Sequence, residues 1–128
     1  MNAYTLQAGL LKVLAHPARL QILDVLRDGE QCVCHMQAVL GLRQAYVSQQ
    51  LMELRELGLV TDRKEGLRVF YSVRDPSVYA ILDVARSLVS RQAQKKGLAL
   101  SFGLPNRASQ HACDCPKCAP QGTPALAH

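Results

Sequence analysis

The chain has 128 residues, 48% hydrophobic and 20% charged, with a formal net charge of +5; that is the length of one domain with one modest core, and no apolar run approaches the ~20 residues a membrane-spanning helix needs. The N-terminus has no basic n-region, no useful apolar h-region and no small-residue cleavage site, which predicts no secretory signal and a cytoplasmic chain. Trp is absent and aromatics are 5%, which argues against base stacking on single strands, while the positive charge suits a polyanionic partner.

From Leu6 to Leu14 the residues Leu6, Leu10, Leu11, Val13 and Leu14 recur with a helical period. His16-Pro17-Ala18-Arg19 interrupts that period. Pro17 suits the first turn of a second helix, which runs on Leu20, Ile22, Leu23, Val25 and Leu26 to a stop at Asp28-Gly29. At such a helix entry His16 is read as a packing or capping residue rather than a ligand. A third helix is predicted over Val33 to Leu40, ended by Gly41. In the next segment Val47, Leu51, Leu54 and Leu57 form one buried stripe, and Gln44, Ser48, Gln49, Met52 and Arg55 form the opposite face, up to Gly58. A short helix, a glycine turn and a polar-faced second helix is the helix-turn-helix pattern.

After Gly58 the period changes. Leu59–Arg63 and Leu67–Val73 read as two strands flanking the turn Lys64-Glu65-Gly66. Val69, Tyr71 and Val73 alternate with Arg68, Phe70, Ser72 and Arg74, as in a strand with one face buried. Asp75 as N-cap and Pro76 at the first position open a last helix, Pro76–Lys96. Its apolar stripe, Val78, Ile81, Leu82, Val84, Ala85, Leu88 and Val89, is broad. With the Leu6–Leu14 helix it exceeds what one small core needs, which predicts a symmetric dimer paired through these two helices. From Gly97 the composition turns to Gly, Pro, Ala and Ser, so residues 1–96 read as the folded domain and residues 97–128 as an irregular, cysteine-containing tail.

The predicted fold is mainly α with a small β-hairpin: a winged helix-turn-helix, whose second helix suits the major groove of double-stranded DNA. Gln44, Ser48 and Gln49 are the candidates for base edges or phosphates. Arg43 and Tyr46, at the helix start, suit the backbone. Arg63, Lys64 and Arg68 of the hairpin suit flanking phosphates.

The cysteines are Cys32 and Cys34, then Cys113, Cys115 and Cys118. An odd count in two short clusters argues against a closed disulfide framework and for metal binding or redox chemistry. Residues on an intact helix turn by ~100° each, which predicts that Cys32 and Cys34 point apart and share an ion only if the first turn of the third helix opens. Thiolates select soft or borderline ions: Zn, Cd, Cu(I), Pb, As(III) and Sb(III). Two sulfurs are too few for most of these. The tail supplies three more, and the 17 residues from Lys96 to Cys113 span up to ~60 Å when extended. As(III) and Sb(III) take three sulfurs in a pyramid; Cd, Pb or Zn would take three or four donors, with His111 or His35. The all-thiolate supply favours the metalloids. A thiol redox switch, with Cys34 pairing to a tail thiol, is the alternative on the same scaffold. No Gly-rich phosphate loop and no nucleophile–base set that can be placed together speaks for an enzyme.

Leu14-Ala15-His16-Pro17-Ala18-Arg19-Leu20-Gln21-Ile22-Leu23, Cys32-Val33-Cys34, Val47-Ser48-Gln49-Gln50-Leu51 and Leu54-Arg55-Glu56-Leu57-Gly58-Leu59-Val60 together resemble the ArsR/SmtB family of bacterial metal-sensing repressors, over about residues 6–90. The resemblance implies a cytosolic homodimer that binds operator DNA and leaves it when metal binds. Gln50 stands where that family usually has His, Arg43 and Ala45 where small hydroxylated residues are common, and His35-Met36 where Asp and Leu usually follow the Cys-Val-Cys box. The family's second metal site uses paired Asp, His and Glu ligands on the last helix; Pro76–Lys96 has Asp83 and no His, so no such site is expected.

Overall fold

A computed structural model describes residues 2–104. In chain order it contains α1 (Ala3–Leu14), α2 (Pro17–Val25), a 3-10 turn (Leu26–Asp28), β1 (Gln31–Cys32), α3 (Val33–Leu40), α4 (Gln44–Glu56), β2 (Val60–Glu65), β3 (Arg68–Val73) and α5 (Val78–Lys95). Among these residues no helix is long and apolar enough to cross a membrane.

Local chemistry sets the boundaries. At α1 the Asn2 side chain accepts from the Tyr4 N–H at 2.7 Å. At α2 His16 Nδ1 accepts from the Ala18 N–H at 3.2 Å with Pro17 in the first turn, so His16 is the capping residue the sequence suggests. Helix α3 stops at Gly41, whose φ of 66° is the left-handed conformation glycine takes without a Cβ penalty, and whose N–H donates to Gln37 O at 2.9 Å. The turn delivers α4 against α2 and α3. Ile22, Leu23, Met36, Val47, Leu51 and Leu54 are fully buried where these helices meet.

Three sequence readings are corrected. Leu57 is not in the buried stripe but 43% exposed. Helix α4 ends in a Schellman closure, with Leu59 N–H on Leu54 O at 3.0 Å and Gly58 N–H on Arg55 O at 2.9 Å. That closure turns Leu57 outward and brings buried Leu59 back beside Leu54. The sheet has three strands, ordered β1-β3-β2 and antiparallel, rather than two. Cys32 of β1 stands opposite Phe70, and the Arg63 guanidinium lies 4.7 Å from that ring. Phe70 is therefore 2% exposed, β3 is covered on both faces, and the simple alternation fails. Finally, α5 begins at Val78. Asp75 Oδ1 accepts from the Ser77 N–H at 3.0 Å and the Ser77 hydroxyl at 2.7 Å, which makes Asp75-Pro76-Ser77 a turn before the helix and holds the Asp75 carboxyl below its ordinary range.

Val78 and Leu82 seat α5 on the core. The Tyr79 hydroxyl donates to Leu23 O at 2.7 Å, Arg27 bridges Asp24 (2.9 Å) and Asp83 (2.7 Å), and Arg86 reaches Asp24 at 2.6 Å. The rest of the stripe, Ile81, Val84, Leu88 and Val89, is exposed, as are Tyr4, Leu6 and Leu11 of α1.

Candidate nucleic-acid interface and adjoining thiol pair

Helix α4 buries Val47, Gln50, Leu51 and Leu54 and turns Gln44, Gln49 and Met52 to solvent, with Ser48 half-buried. Arg43 and Tyr46 are exposed at its start. The residues read as groove-facing thus lie on the outer face of a helix whose inner face is held by the core. Met52 and Arg55 continue that outer face.

Sequence reasoning noted Gln50 only as a departure from a family pattern. Among the described residues it is a buried polar side chain, 5% exposed. Its Oε1 accepts from Arg19 Nε at 2.8 Å, and Arg19 Nη1 also donates to Val13 O at 3.0 Å. One guanidinium therefore ties the reading helix to α2 and to the end of α1. The available signal was a polar residue at a helical spacing shared with Val47, Leu51 and Leu54.

The hairpin cations do not stand alike. Arg63 Nε and Nη2 donate to the two Glu30 carboxylate oxygens at 2.7 and 2.8 Å, and Nη1 donates to Glu65 at 2.7 Å. These carboxylates, Glu30 foremost, push its pKa above the ordinary arginine value. Arg63 thus braces the hairpin to the segment before β1, and a phosphate would have to compete with both acids for it. Lys64 is exposed within β2, paired with Val69, so the turn is Gly66-Leu67 rather than the Lys64-Glu65-Gly66 the sequence suggests, and Arg68 is half-buried with Nη1 3.6 Å from Cys34 Sγ.

The thiol geometry corrects the sequence expectation. Cys32 lies in β1 with φ −82° and ψ 159°, and it caps α3, its Sγ accepting from the His35 N–H at 3.2 Å. One extended residue before the helix cancels the divergence of successive helical side chains. The sulfurs of Cys32 and Cys34 meet as a disulfide, with Cα atoms 5.4 Å apart, while α3 is formed from Val33 onward. No opening of its first turn is needed for both to reach one ligand. The tail donors of the sequence reading, Cys113, Cys115, Cys118 and His111, lie outside the described residues. Among the described residues no cluster of three or more His, Cys, Asp or Glu could hold a metal ion, so this pair alone is an incomplete ion site.

The pair opens on a cavity of about 300 Å³ that reading helix and hairpin share. Gln44 and Ser48 line it from α4, Cys32, Val33 and Cys34 from the α3 start, and Leu67, Arg68, Val69 and Tyr71 from the hairpin side.

A family model described as bacterial regulatory protein, arsR family, matches residues 16–62. The chain is 38% identical over 89 residues to the uncharacterized HTH-type transcriptional regulator Rv0081 of Mycobacterium tuberculosis, covering 69% of this chain and 78% of that one. The Rv0081 crystal structure aligns with a TM-score of 0.68 at 34% identity, over 77% of this chain and 99% of that one. The homodimeric winged helix-turn-helix domain of Mb0332 from Mycobacterium bovis, a possible ArsR-family regulator, aligns at 0.62 and 30% identity, over 70% and 82% of the two chains. The transcriptional repressor BigR of Xylella fastidiosa aligns at 0.59 and 33% identity, over 63% and 83%.

Proposed function

The chain belongs to the ArsR family of bacterial regulatory proteins, with a winged helix-turn-helix for binding DNA, and on that premise we propose that it is a homodimeric repressor released from its operator by a thiophilic ion held on cysteine thiolates. The homodimeric state of the Mb0332 domain and the repressor function of BigR support the assembly and the sign of regulation. The exposed apolar faces of α1 and α5 are the surface a second copy would cover. Gln44, Ser48 and Gln49 meet the major groove, Arg43 and Tyr46 the DNA backbone beside it, and Lys64 and Arg68 the flanking phosphates, while Arg63 braces the wing through Glu30 and Glu65.

The observation that carries the inducer reading is the convergence of Cys32 and Cys34 at a cavity lined by Gln44, Ser48 and Arg68. In the reduced protein these two thiolates and one of Cys113, Cys115 or Cys118 give As(III) or Sb(III) its three-sulfur pyramid; Cd, Pb or Zn are the alternatives, with more donors. An ion held there would act on the wing and the reading helix directly, by tying up the sulfur that lies beside Arg68 and filling the space beside Gln44 and Ser48. A coupling of ~1–3 kcal/mol, roughly 5–150-fold in operator affinity, is the ordinary range for such a switch.

The disulfide supports a second reading, in which a two-electron oxidant joins Cys32 to Cys34 and takes up the two thiol hydrogens. Operator release from a fluorescent promoter fragment separates the two. With a phosphine reductant present, arsenite or antimonite should release the wild-type protein and not Cys32→Ser or Cys34→Ser, both of which still bind DNA. Release by oxidant alone, with every ion silent, would favour the redox switch. A Cys34→Ser protein that dissociates normally with As(III), Sb(III), Cd and Pb would place the site elsewhere.

A further inference from the structure

We propose that Leu67, at the tip of the wing, enters the minor groove beside each half-site and seats as an apolar wedge at a flexible pyrimidine–purine step, so that the wing selects DNA by how readily it deforms. This rests on the reading of α4 as the major-groove helix.

Glu65 pairs with Arg68 across the hairpin, which leaves Gly66 and Leu67 as the two central residues of the turn. Gly66 has φ 62°, the left-handed value that a two-residue hairpin asks of its first central position. After such a glycine the second position commonly holds Asn, Asp or Ser, which water solvates. This chain has Leu there, 99% exposed. That side chain adds nothing to the core. It also belongs to neither α1 nor α5, whose exposed apolar faces the proposed dimer covers.

The surroundings favour duplex DNA as what buries it. Lys64 and Arg68 flank the tip on the two strands, and Glu65, the acid beside them, is held by Arg63 at 2.7 Å. Strand β2 leaves the core at Val60, 1% exposed, and runs to Glu65; five steps of ~3.3 Å set the tip ~17 Å from that anchor. With α4 in the major groove, the neighbouring minor groove lies about half of a ~34 Å turn away. A groove ~6 Å wide admits no helix but does admit one side chain from a turn. An aliphatic side chain gains nothing from phosphate. It gains burial by partly parting a base step, which costs least at TA and CA/TG.

The test uses the full chain and fluorescent fragments of its own promoter, trimmed to the footprint. Leu67→Ser and Leu67→Met are compared with wild type by anisotropy across salt, and the bend is read by energy transfer between the fragment ends. Leu67→Ser should bind about tenfold more weakly, the scale of one lost base contact, and bend the fragment less. Its slope of log affinity against log salt should not change, because no charge is lost. Leu67→Met keeps an apolar wedge and should stay within about twofold. Exchanging TA for a stiff A-tract at the flanking step should cost wild type about tenfold and Leu67→Ser less than twofold. A Leu67→Ser protein that matches wild type in affinity and bend, or that is equally sensitive to the flanking step, overturns the wedge. So does a changed salt slope, or a lower mass of the free protein by light scattering, which would put Leu67 against a second copy. Replacing Gln44 and Gln49 together by Ala keeps the two levels apart. Loss of operator binding in that variant, beside a silent Leu67→Ser, overturns the wedge alone. A wild-type protein that does not distinguish its promoter from unrelated DNA takes down the DNA-reading assignment and this one with it.

Discussion

Replacing Gln50 with Leu removes the oxygen that receives Arg19 Nε at 2.8 Å while keeping an apolar stem in a site that is 5% exposed. A hydrogen bond with one charged partner contributes ~1.5–3 kcal/mol. Arg19 is only half-buried and keeps its bond to Val13 O, so water screens part of the loss and discounts that figure to about 1–2 kcal/mol. For a domain of this size that lowers Tm by ~5–10 °C. The change should cost more in operator affinity than in non-specific DNA affinity, because the bond fixes the tilt of α4 against α2 and not the charge of the surface. Calorimetry of Gln50→Leu, Arg19→Met and the double variant isolates the pair, with an expected coupling of about 1–2 kcal/mol. Gln50→Glu, which offers Arg19 a full carboxylate, should recover most of the operator affinity. A coupling near zero, or a Gln50→Leu protein that reads its operator as the wild type does, would refute the account of Gln50 as the residue that positions the reading helix.

Three further outcomes are expected. Val84→Glu puts a charge on a position that is 67% exposed in one chain and should yield a folded monomer by light scattering; an unchanged dimer would remove α5 from the interface. Lys64→Ala should lower the slope of log affinity against log salt by ~0.9, as one lost phosphate contact does, whereas Arg63→Ala should mainly destabilise the wing, because its guanidinium is held by Glu30 and Glu65; equal slope changes would show that Arg63 leaves its acids on DNA. Burial pushes the Tyr79 phenol from 10.0 up to about 12, so its contribution is complete below pH 10 and is lost as pH rises through the folded value. Tyr79→Phe, losing the bond to Leu23 O, should therefore be less stable by about 1 kcal/mol near neutrality yet lack that alkaline loss, as denaturant titrations at pH 7 and pH 11 would read.

The helical framework was legible because apolar period, Pro17, Gly41 and Gly58 are local signals, each acting within a turn or two of chain. The outer face of α4 followed from the same periodicity. What escaped sequence reading depends on contacts between distant segments. β1 is two residues long and exists only through its pairing with Tyr71 and Phe70, and no window around Gln31 and Cys32 carries that information. The convergence of the two sulfurs follows from the extended backbone that this pairing imposes on Cys32. Leu57 obeys the apolar period but loses its place to Leu59 through the helix closure. Arg63 read as a free cation because the acid that holds it, Glu30, lies on another strand connection.

The pairing of Cys32 with Phe70 also bears on how such a regulator can change. A wing is an attractive unit to exchange between relatives, since a hairpin carries its own turn and alters flanking DNA contacts. Here an exchanged β2–β3 would take Phe70 from against Cys32 and Arg68 from beside Cys34. If the thiol pair is the inducer site as proposed, the chimera would inherit a new DNA contact and an altered inducer response in one event. On that reading operator preference and inducer preference could drift independently through Gln49 and Met52 on the outer face of α4, which do not line the cavity beside the sulfurs, but through the wing they would be inherited as a linked pair.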